Sequence, residues 1–301
     1  MLEFVPNYNT GRDETPGAWA RARELEGWHG VAASDHFVTM ALTYPHLWVT
    51  LTEMVLATRE VFVTSSFANN LFRSPVEFAQ AALTLARVSG GRFEAGLGAG
   101  WIEEEIEAIG WDFPAPRERA GRYVEAMAIV RSLFDTGTCR FEGEFHRIAI
   151  DAPGLAGLAP AAPPLVGSAG GPRTLREIPP FVDRIEIQPN APATRGGAVD
   201  LDRQAAISES DVRGAIERVR RVREDLPIGL FVLVSAVPPD EVATVRAPFG
   251  EGFLARFQGE PASVAAALCD LEALGIDRIQ LTEMAPGSIE RLRPLLPLRR
   301  V

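Results

Sequence analysis

The stretch VFVTSSFANNLFRSPVEFAQAALTLARVSGGRFEAGLGAG, residues Val61–Gly100, reads as strand, helix, strand. VFVTSSF is a short apolar run of strand-forming residues. Ser74 and Pro75 provide the cap and first-turn residue of a helix over SPVEFAQAALTLARVSGG, and glycine ends it. RFEAGLGAG then resumes a strand. Working outward, the same alternation runs from end to end. LEFVPNY, HGVAASDHF, PLVGSAGG, VDRIEIQ, IGLFVLVSAV and IDRIQLTEM read as further strands. Helices are predicted over residues 17–27 and over PHLWVTLTEMVLATRE, with Pro45 in its first turn. Others are predicted from Trp101, over Pro116–Phe134, and over ESDVRGAIERVRRVRED, EPASVAAALCDLEALG and SIERLRPLL. TCRFEGEFHRI reads as a small hairpin inserted after the fourth unit, while residues 190–207 and 240–258 show no clear period. The strands are largely apolar runs, as expected of a parallel sheet covered by helices on both faces. About eight such units point to an α/β fold, a closed (β/α)8 TIM barrel, with an open doubly wound sheet as the rival. No linker composition interrupts the chain, so residues 1–301 read as a single domain.

Composition narrows the function. The chain of 301 residues is 47% hydrophobic and 23% charged, with a net charge of -10. The acidic balance argues against nucleic acid, which needs a basic footprint. Every basic residue is arginine, so a P-loop and any Schiff-base mechanism are excluded. Cys139 and Cys269 stand apart without metal-ligand spacing and read as reduced thiols. No apolar run is long enough to span a membrane, and a cytoplasmic location is expected.

Candidate sites cluster at strand ends, where barrels of this kind place their chemistry. Gly96, Gly98 and Gly100 fail the dinucleotide fingerprint, because Trp101 stands where a third glycine belongs. Gly98, Ala99 and Gly100 instead offer bare backbone to a flat ring or a phosphate, although a tight turn needs the same small residues. Glu103, Glu104 and Glu105 then suit a helix N-terminus, with Ile102, Ile106 and Ile109 as its buried stripe. Asp35 and His36 end the second strand, where an imidazole can move protons or simply satisfy a carbonyl. Ser168, Ala169, Gly170 and Gly171 end the fifth and offer a hydroxyl and open N–H groups, again as a cradle or a plain turn. Arg73 reads as a structural ion-pair partner. No nucleophile elbow is present.

Taken in order, SDHF, RSPVEFAQAALTLARVSGGRFEAGLGAGWIEEEIEAIG, RERAGRYVEAMAIVRSLF, FEGEFHRI and PPLVGSAGGPRTL resemble the luciferase-like monooxygenase superfamily. The resemblance covers residues 2–188 well and the remainder loosely. FANNLFRSP and GGPRTL are most similar to the branch that uses the deazaflavin coenzyme F420; FMN-using relatives share most other motifs. The resemblance implies a luciferase-like barrel with the cofactor ring at its C-terminal mouth. It implies His36 as proton donor or acceptor beside a hydride transfer, oriented or tuned by Asp35. It implies a non-proline cis peptide at Ser66–Phe67 against the ring. Gly98, Ala99, Gly100 and Trp101 would lie by the ring or its side chain, and Ser168, Ala169, Gly170 and Gly171 by the phosphate. The substrate would be a small, fairly apolar molecule, walled by Trp101 and Phe37. An FMN-dependent monooxygenase using reduced flavin and oxygen, and a non-catalytic binding barrel, are the alternatives. Three features depart from the family. Trp101 occupies a position where some relatives carry a catalytic glutamate. Pro179–Pro180 breaks the helix after the phosphate loop. Glu186 stands near the end of strand six, where relatives often have a small residue and a carboxylate repels an anionic cofactor. Pairing of two copies into a homodimer is left open.

Overall fold

The structure, a computed structural model, describes residues 2–9, 13–39 and 42–299. Eight parallel strands among them close on themselves. These are β1 (Glu3–Tyr8), β2 (Gly30–Ala33), β3 (Phe62–Ser65), β4 (Phe93–Gly98), β5 (Leu165–Ala169), β6 (Arg184–Ile187), β7 (Ile228–Ala236) and β8 (Arg278–Glu283). Each pairs with the next, and β1 pairs with β8, so the sheet has no free edge. The barrel replaces the open-sheet alternative because β4 meets β5, through Gly96 opposite Val166, and the ring is complete.

Side chains alternate across each strand, and the register carries each set from strand to strand. The outward set includes Phe4, Val63, Phe93, Leu97, Leu165, Ile185, Leu230 and Leu281, all at most 1% exposed. Against them lie Trp19, Phe78 and Tyr123 of the surrounding helices. Each such burial contributes roughly 1.5–3 kcal/mol, which makes this outer shell the main source of stability. The inward set carries the strands' polar side chains, Glu3 and Asn7, Thr64, Glu94, Arg184 and Glu186, Arg278 and Gln280, among apolar ones such as Val5, Val166 and Phe231. At the N-terminal end Arg278 binds Glu94 with both terminal nitrogens, and its Nε lies 2.8 Å from Glu3.

The helices are α1 (Pro16–Leu25), α2 (Leu47–Ala57), α3 (Pro75–Val88), α4 (Glu103–Ala108), α5 (Pro116–Thr136), α6 (Pro172–Glu177), α7 (Glu209–Arg220), α8 (Pro261–Cys269) and α9 (Ser288–Leu292). Ser74 accepts from the Val76 amide and starts α3 as expected. Two starts differ from the sequence reading. α2 begins at Leu47 after His46, which leaves Pro45 outside it. α4 begins at Glu103, because Ile102 is still extended after the chain leaves Gly100, whose φ is +78°. The prolines end α6 at Glu177 and form a separate turn over Pro179–Phe181. The aperiodic stretch 190–207 holds two short helices, Ala191–Thr194 and Leu201–Ala205. The hairpin Thr138–Glu142 with Arg147–Asp151 lies between α5 and β5.

Candidate active site

β2 stops at Ala33, and the chain turns outward through Asp35 and His36. The two side chains part. Asp35, 6% exposed, accepts from the Asn69 amide at 2.7 Å and from the Arg73 guanidinium. It therefore locks the loop after β2 to the loop after β3, and Arg73 is its ion-pair partner. No hydrogen bond joins Asp35 to His36 among the described residues. The partner of His36 is Glu105: His36 Nδ1 lies 3.0 Å from Glu105 Oε1, and the Phe37 amide donates to Glu105 Oε2 at 2.8 Å. The Glu105 side chain is 1% exposed. A buried carboxylate against one ring nitrogen fixes the imidazole's orientation and leaves Nε2 for exchange. The sequence reading missed this pairing. The signal was present, since Glu105 lies on the apolar stripe with Ile102 and Ile106 while Glu103, Glu104 and Glu107 are exposed.

The Tyr44 ring stands 5.1 Å from that of His36, edge to face. Burial, and then the charge of Glu105, push its hydroxyl pKa up. A cavity of about 420 Å³ opens here, lined by His36, Phe37, Tyr44, His46, Phe72 and Arg73 among others. A second, of about 380 Å³, lies across Phe72–Ser74 beside Trp111, Arg122 and His146.

At the mouth the rims of β3, β4 and β5 converge. The Ser66–Phe67 peptide is cis. A Cβ on Gly98 would lie 3.1 Å from Phe67 Cβ and 3.6 Å from Ser168 Cβ. One on Gly96 would overlap the Ser65 carbonyl, and one on Gly100 would overlap Asn69 Oδ1. The immediate need for these glycines is thus the close approach of β3 and its loop. Ala99, Gly100, Trp101, Ser168, Gly170 and Gly171 are half-buried at this rim, while Ala169 is buried. Gly170 is packed under Ala191, whereas the nearest atoms to a Cβ on Gly171 are Thr174 Oγ1 at 3.8 Å and the Arg195 guanidinium at 4.0 Å. Arg195 has no acidic partner among the described residues; its carbonyl is held by buried Arg119 at 2.7 Å. Across the mouth the inward-facing Ser34, Gln188, Phe231, Leu233 and Thr282 keep part of their surface exposed. Below them Asn7 Nδ2 donates to Ser34 Oγ at 2.7 Å and to Thr282 Oγ1 at 3.1 Å. Ser34 Oγ in turn donates to the Ser66 carbonyl at 3.2 Å. The mouth presents hydroxyl and amide groups beside partly exposed Phe231 and Leu233, a mixed lining suited to a planar heteroaromatic ligand.

No helix of the described residues is long and apolar enough to cross a membrane, and no cluster of three metal-ligating side chains occurs among them. Comparison with known proteins places this geometry in context. The chain is 31% identical over 136 residues to the F420-dependent glucose-6-phosphate dehydrogenase of Amycolatopsis mediterranei, covering 44% of this chain and 40% of that one. It is 27% identical over 192 residues to the 5,10-methylenetetrahydromethanopterin reductase of Archaeoglobus fulgidus, covering 64% and 53%. The chain thus spans about half the length of the curated relatives it matches. Among solved structures, an F420-dependent secondary alcohol dehydrogenase in complex with an F420–acetone adduct superposes with a TM-score of 0.75, covering 100% of both chains at 17% identity. That likeness establishes the barrel fold. The family profile described as luciferase-like monooxygenase matches residues 14–266, and the chain belongs to that family.

Proposed function

We propose that the chain is an F420-dependent oxidoreductase in which His36, held by Glu105, moves a proton beside a hydride transfer to or from a small organic substrate. The observation that carries the reading is the buried Glu105 carboxylate bound to His36 at the rim of the mouth. The relatives matched by sequence, both named for F420- or methanopterin-linked redox reactions, support the oxidoreductase class. Bound deazaflavin supplies two-electron hydride chemistry. The half-exposed lining of Ser34, Phe67, Ser168, Phe231 and Thr282 fits its ring, and Gly171 with Arg195, which has no acidic partner among the described residues, fits its phosphate. His36 Nε2 takes the proton of a substrate hydroxyl as the carbinol carbon loses hydride, and returns it in the reverse direction. Glu105 stabilises the imidazolium formed in that step. Asp35 acts at one remove, keeping the β2 and β3 loops in register through Arg73 and Asn69.

Separate titrations with F420 and FMN, followed by the fluorescence of each chromophore, test the assignment. Binding of F420 in preference to FMN is expected, with Arg195→Ala weakening it about tenfold through loss of a charge-assisted contact. Turnover with reduced FMN and oxygen, without F420 binding, would assign a monooxygenase instead. Tight F420 binding with turnover unchanged in His36→Ala would remove His36 from the chemistry.

A further inference from the structure

The barrel interior holds a carboxyl group that the proton transfer above does not use. Glu186 points inward from β6, is completely buried, and has no hydrogen-bond partner on either oxygen among the described residues. Its neighbour in β7 is Gly229, where a Cβ would overlap the carboxylate, so the absence of a side chain there leaves room for it. Its neighbour in β5 is Ser168, half-buried at the mouth. Inward residues of such barrels stack in layers drawn from alternate strands, and the register puts Glu186 level with Gln280 of β8. The Gln280 amide nitrogen also lacks a partner among the described residues, while its oxygen accepts from Ser66 Oγ, beside the cis bond.

The charged groups facing Glu186 are Arg278 of β8, Arg184 of its own strand, Glu94 of β4 and Asp277. Arg278 is already engaged by Glu94 and Glu3, and Arg184 by Asp277. Burial is the largest influence, and against the pull of the two arginines it pushes the carboxyl up to about 7. A carboxylate buried without donors takes up a proton instead of remaining charged. The expectation that Glu186 simply repels an anion at the mouth is therefore revised: it repels only when ionised.

Resting on the reading of the mouth as a cofactor site, the geometry points to Glu186 as a proton-holding floor beneath Ser168, whose protonation governs how tightly the mouth holds an anionic ligand. Ionised, it places a negative charge beside Ser168 at the base of the mouth and weakens binding. Neutral, it permits binding. By linkage, an anion in the mouth raises the proton affinity of Glu186 by the same factor.

The test compares the wild type with Glu186→Gln, which is neutral and of similar shape, and with Glu186→Leu in case the amide is misplaced. F420 affinity is measured by fluorescence at about pH 6 and about pH 8; the ratio between proteins removes the ligand's own titrations. Relative to either variant, the wild type is expected to lose about tenfold in affinity over that interval, within the usual range of site–site coupling. An unchanged ratio overturns the proposal. Carboxyl-region infrared spectra of the protein without ligand give an independent reading. A protonated carboxyl band that titrates near neutrality and vanishes in both variants is expected. Its absence, or its loss together with the surface carboxyls, overturns the proposal. Should none of the three proteins bind F420, the cofactor reading fails, while the infrared titration still decides the protonation of Glu186.

Discussion

At Glu105 a carboxylate occupies a position on α4 that helix periodicity reserves for an apolar side chain, between Ile102 and Ile106. It stays there because the His36 ring and the Phe37 amide satisfy both oxygens. Replacing it by glutamine keeps the shape and removes the charge that supports an imidazolium. Steady-state kinetics of Glu105→Gln are expected to show kcat reduced by about 100-fold and KM little changed; a rise in KM alone would make Glu105 a packing residue. Glu186 makes a stability prediction with a definite sign. Its folded-state pKa is about 7 against an ordinary value of 4.5, so the native state binds its proton more tightly than the unfolded chain. The stabilisation is complete below the unfolded value and is lost as pH rises through about 7, by an upper bound of about 3 kcal/mol. Urea denaturation should therefore show Glu186→Gln gaining on the wild type at about pH 8.5 relative to about pH 5.5. Equal differences at both pH values would place an ionised Glu186 in the folded protein. Neither carboxylate's role was legible from spacing, since each depends on a partner or neighbour from another strand or rim.

Among the elements, the inserted hairpin shows how a single side chain organises a turn. Glu125 of α5 accepts the amides of Glu144, Phe145 and His146 at 2.7, 3.0 and 2.9 Å. Burial would raise its pKa, and these three bonds with that from the His146 ring outweigh it and lower the value. Glu125→Ala should cost about 1–3 kcal/mol and bring fast hydrogen exchange to the amides of residues 144–146 while the barrel strands stay protected. Uniform protection would show that the hairpin strands hold the turn by themselves. The hairpin was readable from its sequence, as were the Ser74 cap of α3 and the start of α5 at Pro116, because such signals act within a few residues. The start of α4 was misplaced by two residues, because Gly100 turns the chain and Ile102 leaves it extended against neighbouring loops.

For the molecule as a whole, the outer shell of apolar strand faces and helices closes around an interior of mixed polar and apolar side chains, and Arg278 is the hub of its lower end. It is 3% exposed and bonded to Glu94 and Glu3. Arg278→Met leaves those carboxylates without their cation and should cost about 3–5 kcal/mol by denaturant melting. A neutral outcome would mean that water reaches that end of the barrel. The eight strands, their parallel order and the placement of candidate residues at strand ends followed from the sequence, because apolar runs, turn residues and caps are local and the barrel is the closed form their alternation allows. The cis bond at Ser66–Phe67 was expected from family resemblance and is present. Tertiary structure alone decided that His36 answers to Glu105 and not to Asp35, that the strand-four glycines yield to β3, and that Glu186 lies under the mouth without a hydrogen-bond partner among the described residues. The reason is physical: those relationships are set by which rims and inward faces meet when the sheet closes, between residues as far apart as 36 and 105, and no local periodicity records the register of that closure.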